Sequence, residues 1–291
     1  MRNLFIAGLV IISSIRSNGQ TVVPILSGEI GIMAGASQYF GDLNPDMHFN
    51  TPKPAVGLFF RKQIGSYIAA RAQAMFTQLG YSDVYNTQNE FEHRRNLSFN
   101  TNIWELTLLG DFNFFKFIPG EADHRYTPFI SLGLGIFSYD PYAYYQGQKV
   151  YLRPLGTEGQ GSAAYPNRKP YGTMAFCIPL GIGFKYNINP HLNWGFEITY
   201  RFTTTDYIDD VSTTYAGINN FPTLPNGSPS LSAVLQDRST ETGSTPIGTT
   251  GKQRGYSNQN DGYLIATLTL SFNLTSYVCP SPYTDNLRSR K

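Results

Sequence analysis

The feature that most constrains this chain is a period-two alternation that recurs in eight segments, the repeat of strands whose two faces meet different surroundings. The first sets Ile30, Ile32 and Ala34 against Glu29, Gly31 and Met33; the second sets Val56, Leu58 and Phe60 against Gly57 and Arg61. In the third, Ala70, Ala72 and Phe76 oppose Arg71 and Gln73, and in the fourth Trp104, Leu106, Leu108 and Phe112 oppose Glu105, Thr107 and Asp111. The fifth sets Ile130, Leu132 and Leu134 against Ser131, Gly133 and Gly135. The sixth pairs Ile178, Leu180, Ile182 and Phe184 with Cys177, Gly181, Gly183 and Lys185. The seventh opposes Trp194, Phe196 and Ile198 to Gly195, Glu197 and Arg201, and the eighth opposes Leu264, Leu268, Leu270 and Phe272 to Thr267, Thr269 and Ser271. No amphipathic helix of comparable clarity competes, and beyond the N-terminus no run approaches the ~18 apolar residues of a membrane-spanning helix.

A soluble barrel of the lipocalin kind also alternates, with its apolar face inward, so composition has to choose the solvent. Charged residues make up 14% of the chain, well below the roughly one quarter of an ordinary soluble domain. Aromatics also reach 14%, as 20 Phe and 20 Tyr with only 2 Trp. Bulky uncharged side chains on one face and small, polar or ionised ones on the other suit lipid outside and a narrow filled lumen. The inward charges balance: Arg61, Arg71, Lys185 and Arg201 against Glu29, Glu105, Asp111 and Glu197, which predicts a paired lumen network. The expected fold is therefore all-β, an eight-stranded antiparallel transmembrane β-barrel, closed because a bilayer tolerates no unpaired sheet edge. A soluble lipocalin-like barrel is the competing reading.

Residues 1–19 read as a signal peptide: Arg2 precedes the short apolar run Leu4 to Ile12, and small or polar residues follow. Residues 20–274 then form the barrel and 275–291 a periplasmic tail, in a protein of the bacterial outer membrane. Two cysteines, Cys177 and Cys279, make no disulfide framework, and a net charge of +2 carries no nucleic-acid footprint.

Connection lengths alternate. Short periplasmic turns are expected at Ile64 to Ser66, Lys116 to Tyr126 and Asn187 to His191, and long extracellular loops at Phe40 to Lys53, Gln78 to Asn100, Tyr139 to Gly172 and Thr205 to Asp261. Aromatics near strand ends, among them Tyr39, Phe40, Tyr67, Tyr81, Phe115, Tyr126, Tyr139, Tyr186, Tyr200 and Tyr263, are expected in interfacial girdles. Asp206, Asp209 and Asp210 open the fourth outer loop, either as Ca²⁺ ligands or as turn caps or partners of loop Arg residues, though their spacing matches no EF-hand. The tail offers Cys279, Arg288, Arg290 and Lys291 either as a partner-binding segment or as a disordered end.

No catalytic, metal or cofactor motif stands out: the nucleophile elbow, the zinc-protease helix and the phosphate loop are all missing. His48 and His93, beside Asp46 and Glu92, are the weak candidates for a hydrolytic dyad on the outer side. No enzymatic activity, cofactor or small-molecule substrate is expected, and an eight-stranded lumen is narrow enough for side chains to fill. Function is then expected at surfaces.

The runs GASQYFGDLNP (Gly35 to Pro45), RNLSFNTNIWEL (Arg95 to Leu106), PLGTEGQG (Pro154 to Gly161), IPLGIGFKYNIN (Ile178 to Asn189) and TTDYIDDVS (Thr204 to Ser212) resemble the PorG-like family of Bacteroidetes outer-membrane barrels. That resemblance implies a component of the type IX secretion system associated with a periplasmic ring of PorK- and PorN-like proteins. The Ser/Thr-rich stretch from Ser212 to Asp261 carries none of these motifs. A surface-binding or adhesive barrel acting through its long loops is the alternative.

Overall fold

A computed structural model describes residues 25–243 and 245–276; the expected signal peptide, most of the tail and all four tail candidates lie outside the described residues. Eight long strands form the wall: β1 (Ile25–Phe40), β2 (Lys53–Gln63), β3 (Ile68–Ser82), β4 (Ser98–Asn113), β5 (Tyr126–Ser138), β8 (Met174–Asn189), β9 (Leu192–Thr203) and β10 (Gly262–Ser276). A small hairpin, β6 (Tyr142–Tyr145) and β7 (Gln148–Tyr151), rises from the β5–β8 connection. Each wall strand pairs antiparallel with the next, and β10 returns to β1, from Phe40↔Gly262 at one end to Ile25↔Ser276 at the other. The result is a closed eight-stranded barrel with no free edge in its wall.

The two sides of the wall have opposite polarity. Outward residues include Ile32, Leu58, Trp104, Leu108, Leu134, Ile182 and Leu268, all exposed, with Leu108 and Leu134 each 69% accessible. Inward residues include Glu29, Arg61, Arg71, Glu105, Asp111, Lys185, Glu197 and Arg201, all buried. A soluble barrel would invert this arrangement, since a continuous apolar belt around a water-facing wall would drive association. Apolar exterior, polar interior and complete backbone pairing are the architecture of a bilayer-spanning barrel of outer-membrane type.

Short connections gather at one end (64–67, 114–125 and the tight turn between Asn189 and Leu192) and long ones at the other (41–52, 83–97, 139–173 and 204–261). The second outer loop is shorter than the alternation suggested, because β3 and β4 run on as a ribbon. Leu79↔Thr101 and Tyr81↔Phe99 stay in register inside the span expected to be loop. The inward parity persists there, with Leu79, Tyr81 and Phe99 buried, while the outward positions turn polar at Gln78, Asn100 and Asn102 as the ribbon leaves the lipid.

The expected aromatic girdle needs correction. Tyr67, Phe115 and Tyr126 are exposed at the short-turn end, but Tyr39, Phe40, Tyr81, Tyr139 and Tyr263 are buried. Tyr39, Tyr81 and Tyr263 share the inward parity of the charges below them, so they point into the mouth and not at lipid. There Tyr39 meets Phe99 edge-on at 4.7 Å, and Phe137 lies 5.8 Å from Tyr263. The hydrophobic core, with Leu43, Ile103, Ile208 and Ile265 joining these rings, sits under the outer loops, and the charges occupy the barrel below it.

Candidate functional site

Register explains the charged layer. Glu29 on β1 stands directly opposite Arg61 on β2, and Arg61 stands directly opposite Arg71 on β3. Two facing guanidiniums in a buried lumen repel, and the Asp111 carboxylate from β4 resolves the conflict by standing between them, hydrogen-bonded to Arg61 and ion-paired with Arg71. Arg61 Nε donates to Asp111 Oδ2 at 2.7 Å, and Arg71 Nη2 lies 3.2 Å from Asp111 Oδ1. Arg61 Nη1 also reaches Glu29 Oε1 at 3.0 Å. Arg71 grips Glu197 on β9 with two parallel bonds of 2.5 and 2.6 Å, the fork geometry that makes guanidinium–carboxylate pairs strong. Ser131 donates to Glu197 at 2.7 Å, and Ser271 donates to Glu29.

One continuous chain of charge, Glu29–Arg61–Asp111–Arg71–Glu197, therefore ties five strands across the lumen. Higher up, Arg201 pairs with Glu105 at 3.2 Å, and Tyr263 donates to the same carboxylate at 2.6 Å. Lys185 makes no hydrogen bond among the described residues; its ammonium lies 4.7 Å from the ring centre of Phe117, which tucks in from the β4–β5 turn. The structure thus brings seven of the eight expected lumen charges into ion pairs and sets the eighth against aromatic faces. With Phe59, Phe117, Phe129 and Phe137 filling the remaining width, the lumen is a packed interior.

The outer mouth carries a second network, which alternation alone does not reveal. Arg95 closes the short helix Glu90–Arg95, clasps Asp83 through two 2.8 Å bonds, and reaches the carbonyls of Asp42 and Arg254 at 2.9 and 2.8 Å. Glu158 accepts from the Ser212 and Thr213 amides, the Thr213 hydroxyl and Arg254. Gly156 and Gly159, at φ +57° and +82°, make the tight turns that carry Glu158 inward, a backbone geometry that a side chain would strain. Arg254 ties Glu158 to the Asp210 carbonyl at 2.5 Å. Residues from four of the quoted runs, Asp42, Arg95, Glu158 and Asp210, thus meet in one buried assembly that ties the outer loops into a cap.

Asp206, Asp209 and Asp210 do not converge on one point. Asp210 accepts from the Thr157 and Tyr171 hydroxyls, each at 2.6 Å. Asp209 accepts the Val211 amide and lies 2.6 Å from the Tyr39 hydroxyl, which is 2.8 Å from Asp261 on its other side. Burial pushes Asp206 up to about 9, with Asp261 and Asp42 adding to the rise. Burial likewise raises Asp209 well above the carboxylate range and Asp261 to about 8. Among the described residues, no group of three metal-binding side chains comes together.

His48 lines a cleft of about 90 Å³ with Asp46, Asn50, Tyr85 and Asn86, far below the roughly 300 Å³ at which ligand pockets begin. His93 lies on the helix Glu90–Arg95 and is not part of that lining.

The model of a family described as "Domain of unknown function (DUF6089)" matches residues 2–225. The chain belongs to that family. The matched span of this DUF6089 chain takes in β1 to β9 and the first part of the fourth outer loop. No curated protein matches the sequence.

Several solved barrels resemble it in architecture. The N-terminal β-barrel domain of Pseudomonas aeruginosa OprF is 11% identical, with 85% of this chain and 98% of that one covered and a TM-score of 0.35. Neisserial surface protein A is 8% identical over 85% and 97%, with a TM-score of 0.40. Ail, the attachment invasion locus protein of Yersinia pestis, is 10% identical over 85% and 99%, with a TM-score of 0.38. At such identities and scores the likeness says nothing of what this DUF6089 barrel binds.

Proposed function

We propose that this protein is a non-enzymatic integral outer-membrane component of the type IX protein secretion machinery, which anchors or organises the periplasmic ring. The observation that carries this reading is the filled lumen: a barrel packed with ion pairs and rings is no conduit, so its work falls to its two ends. At the short-turn end, Phe117 is sunk into the barrel, its amide donates to the Ser66 carbonyl, and the Gly120 amide donates to the Asn187 side chain at 2.9 Å. Those ties hold Lys116, Glu121, Asp123 and Arg125 out toward the periplasm on a shaped, charged turn. A preorganised surface loses little freedom when a partner docks on it. The resemblance of the five quoted runs to PorG-like barrels supplies the partner, a ring of PorK- and PorN-like proteins.

The test is co-purification from membranes. Replacing Glu121, Asp123 and Arg125 by Ala leaves the tucked Phe117 in place, so the barrel inserts normally and loses the ring; ring association at the wild-type level overturns the proposal. Truncation after Ser276 examines the tail, with Cys279, Arg288, Arg290 and Lys291, in the same assay.

A second reading, a surface-binding barrel, draws on the built outer cap. Removing residues 218–250 then abolishes surface binding and leaves secretion intact. Intact binding in that variant overturns this second reading.

A further inference from the structure

The β6–β7 hairpin extends the barrel wall beyond the lipid belt. Tyr142 pairs with Asn100 of β4, so the hairpin's faces inherit the wall's inner and outer sides. Cross-strand register puts Tyr142 opposite Tyr151 and Tyr144 opposite Lys149, all on the outer side, while Ala143 and Val150 pack inward against the mouth. Tyr144 and Tyr151 are 54% and 45% exposed. The Lys149 ammonium stands 3.7 Å from the ring centre of Tyr142 and 4.7 Å from that of Tyr151. No ion pair among the described residues engages it.

Height identifies the occupant. The outer side of the hairpin continues upward from Trp104, at the top of the lipid-facing belt, through Asn102 and Asn100. Four residues separate Trp104 from Asn100, about 13 Å along a strand and roughly 10 Å of height once a barrel strand's tilt is applied. Phospholipid headgroups extend only about 5–8 Å beyond the hydrocarbon. Whatever lies against the tyrosines while rooted in the surrounding leaflet is taller than a phospholipid, so it carries sugars. Ring faces suit the C–H faces of sugars, and an ammonium held between rings outside any ion pair among the described residues suits a phosphate.

We infer that the outer face of this hairpin, Tyr142, Tyr144, Lys149 and Tyr151, binds the headgroup of a phosphorylated glycolipid in the leaflet around the barrel. The inference rests on the bilayer-spanning reading with the long loops outside, and it is independent of any secretion partner.

The full chain is reconstituted in phosphatidylcholine nanodiscs doped with equal amounts of a core-sugar-bearing lipid A, phosphatidylglycerol and an uncharged digalactosyl lipid, and retained lipids are counted by native mass spectrometry. Retention of the phosphorylated glycolipid about fivefold above each of the others is expected, corresponding to about 1 kcal/mol for an exposed cation–ring site. Lys149→Ala removes the preference, Lys149→Arg keeps it, and Tyr144→Ala with Tyr151→Ala weakens it. None of these variants opens the core, and a heat-dependent gel shift verifies that each inserts. Equal retention of phosphatidylglycerol, or an unchanged preference in Lys149→Ala, overturns the inference. A wild-type chain that fails to enter the nanodisc overturns the membrane reading beneath it, a separate and visible failure.

Discussion

The charged floor of the barrel and the acidic mouth both bury carboxyl groups, yet they neutralise them by different means. On the floor every carboxylate has a guanidinium: Asp111 sits between Arg61 and Arg71, and Glu197 takes both arms of Arg71. At the mouth Asp209 and Asp261 share the hydroxyl of Tyr39. A phenol has one hydrogen to donate, so the second of those contacts requires a carboxylic O–H. The nearby cations are engaged elsewhere, Arg95 by Asp83 and Arg254 by Glu158 and Asp210, while Asp42 adds negative charge. One region is held by fixed cations and the other by a proton, so the two should respond oppositely to substitution and to pH.

The largest effect is expected on the floor. Asp111→Ala leaves Arg61 and Arg71 face to face without their shared carboxylate, a loss of about 3–5 kcal/mol. It is measured as a fall in the temperature at which the folded band disappears from semi-native gels, and an unchanged transition would break the account of the floor. Next comes Arg254→Ala, which leaves Glu158 without its guanidinium and frees the Asp210 carbonyl. It should loosen the cap by about 3 kcal/mol while the barrel transition stays put, seen as faster hydrogen exchange confined to the outer loops.

The pH response is smaller and has a definite sign. Asp209 and Asp261 hold protons in the folded cap that they release in the unfolded chain above pH 3.8, so folding takes up protons and stability falls as pH rises. The stabilisation is complete below about 3.8 and lost through about 8, so the protection factors over residues 205–261, exchange corrected for its intrinsic base catalysis, should be lower at pH 9 than at pH 6. Equal protection factors would contradict the shared proton.

The smallest effect sharpens the contrast. Asp209→Asn replaces a protonated acid with an amide that still bonds to Tyr39, and should shift stability by less than about 1 kcal/mol while flattening the pH dependence. A loss as large as that of Asp111→Ala would place a charged carboxylate at the mouth.

Much of the wall was legible because a strand's two faces are written in its own residues: Ile32 and Glu29 differ in parity, and parity decides lipid or lumen. The same rule also places Tyr39, Tyr81 and Tyr263 inside; a preference for interfacial aromatics obscured it. What no local pattern contains is the pairing. That Asp111 would lie between two arginines depends on the stagger of β2, β3 and β4, and that Tyr39 would meet Asp209 and Asp261 depends on how the fourth outer loop returns over the mouth. Asp42, Arg95 and Glu158 stood in motifs, but their shared assembly required folding contacts between distant loops. The Tyr142–Tyr151 hairpin lay inside a stretch with no long alternation, so it read as loop.

The pairing of β10 with β1 seals this wall, and the described lumen-facing side of β10 below Tyr263 bears only neutral groups: Ile265, Thr267, Thr269, Ser271 and Asn273. Every ionised group of the floor lies on the other wall strands. The charges can find their partners while the cylinder is still an open curl, and zippering β10 to β1 demands no desolvation of a fresh charge on β10. A substitution such as Thr269→Glu would then impede assembly itself, trapping an unclosed intermediate at the insertion stage before it affects the finished protein.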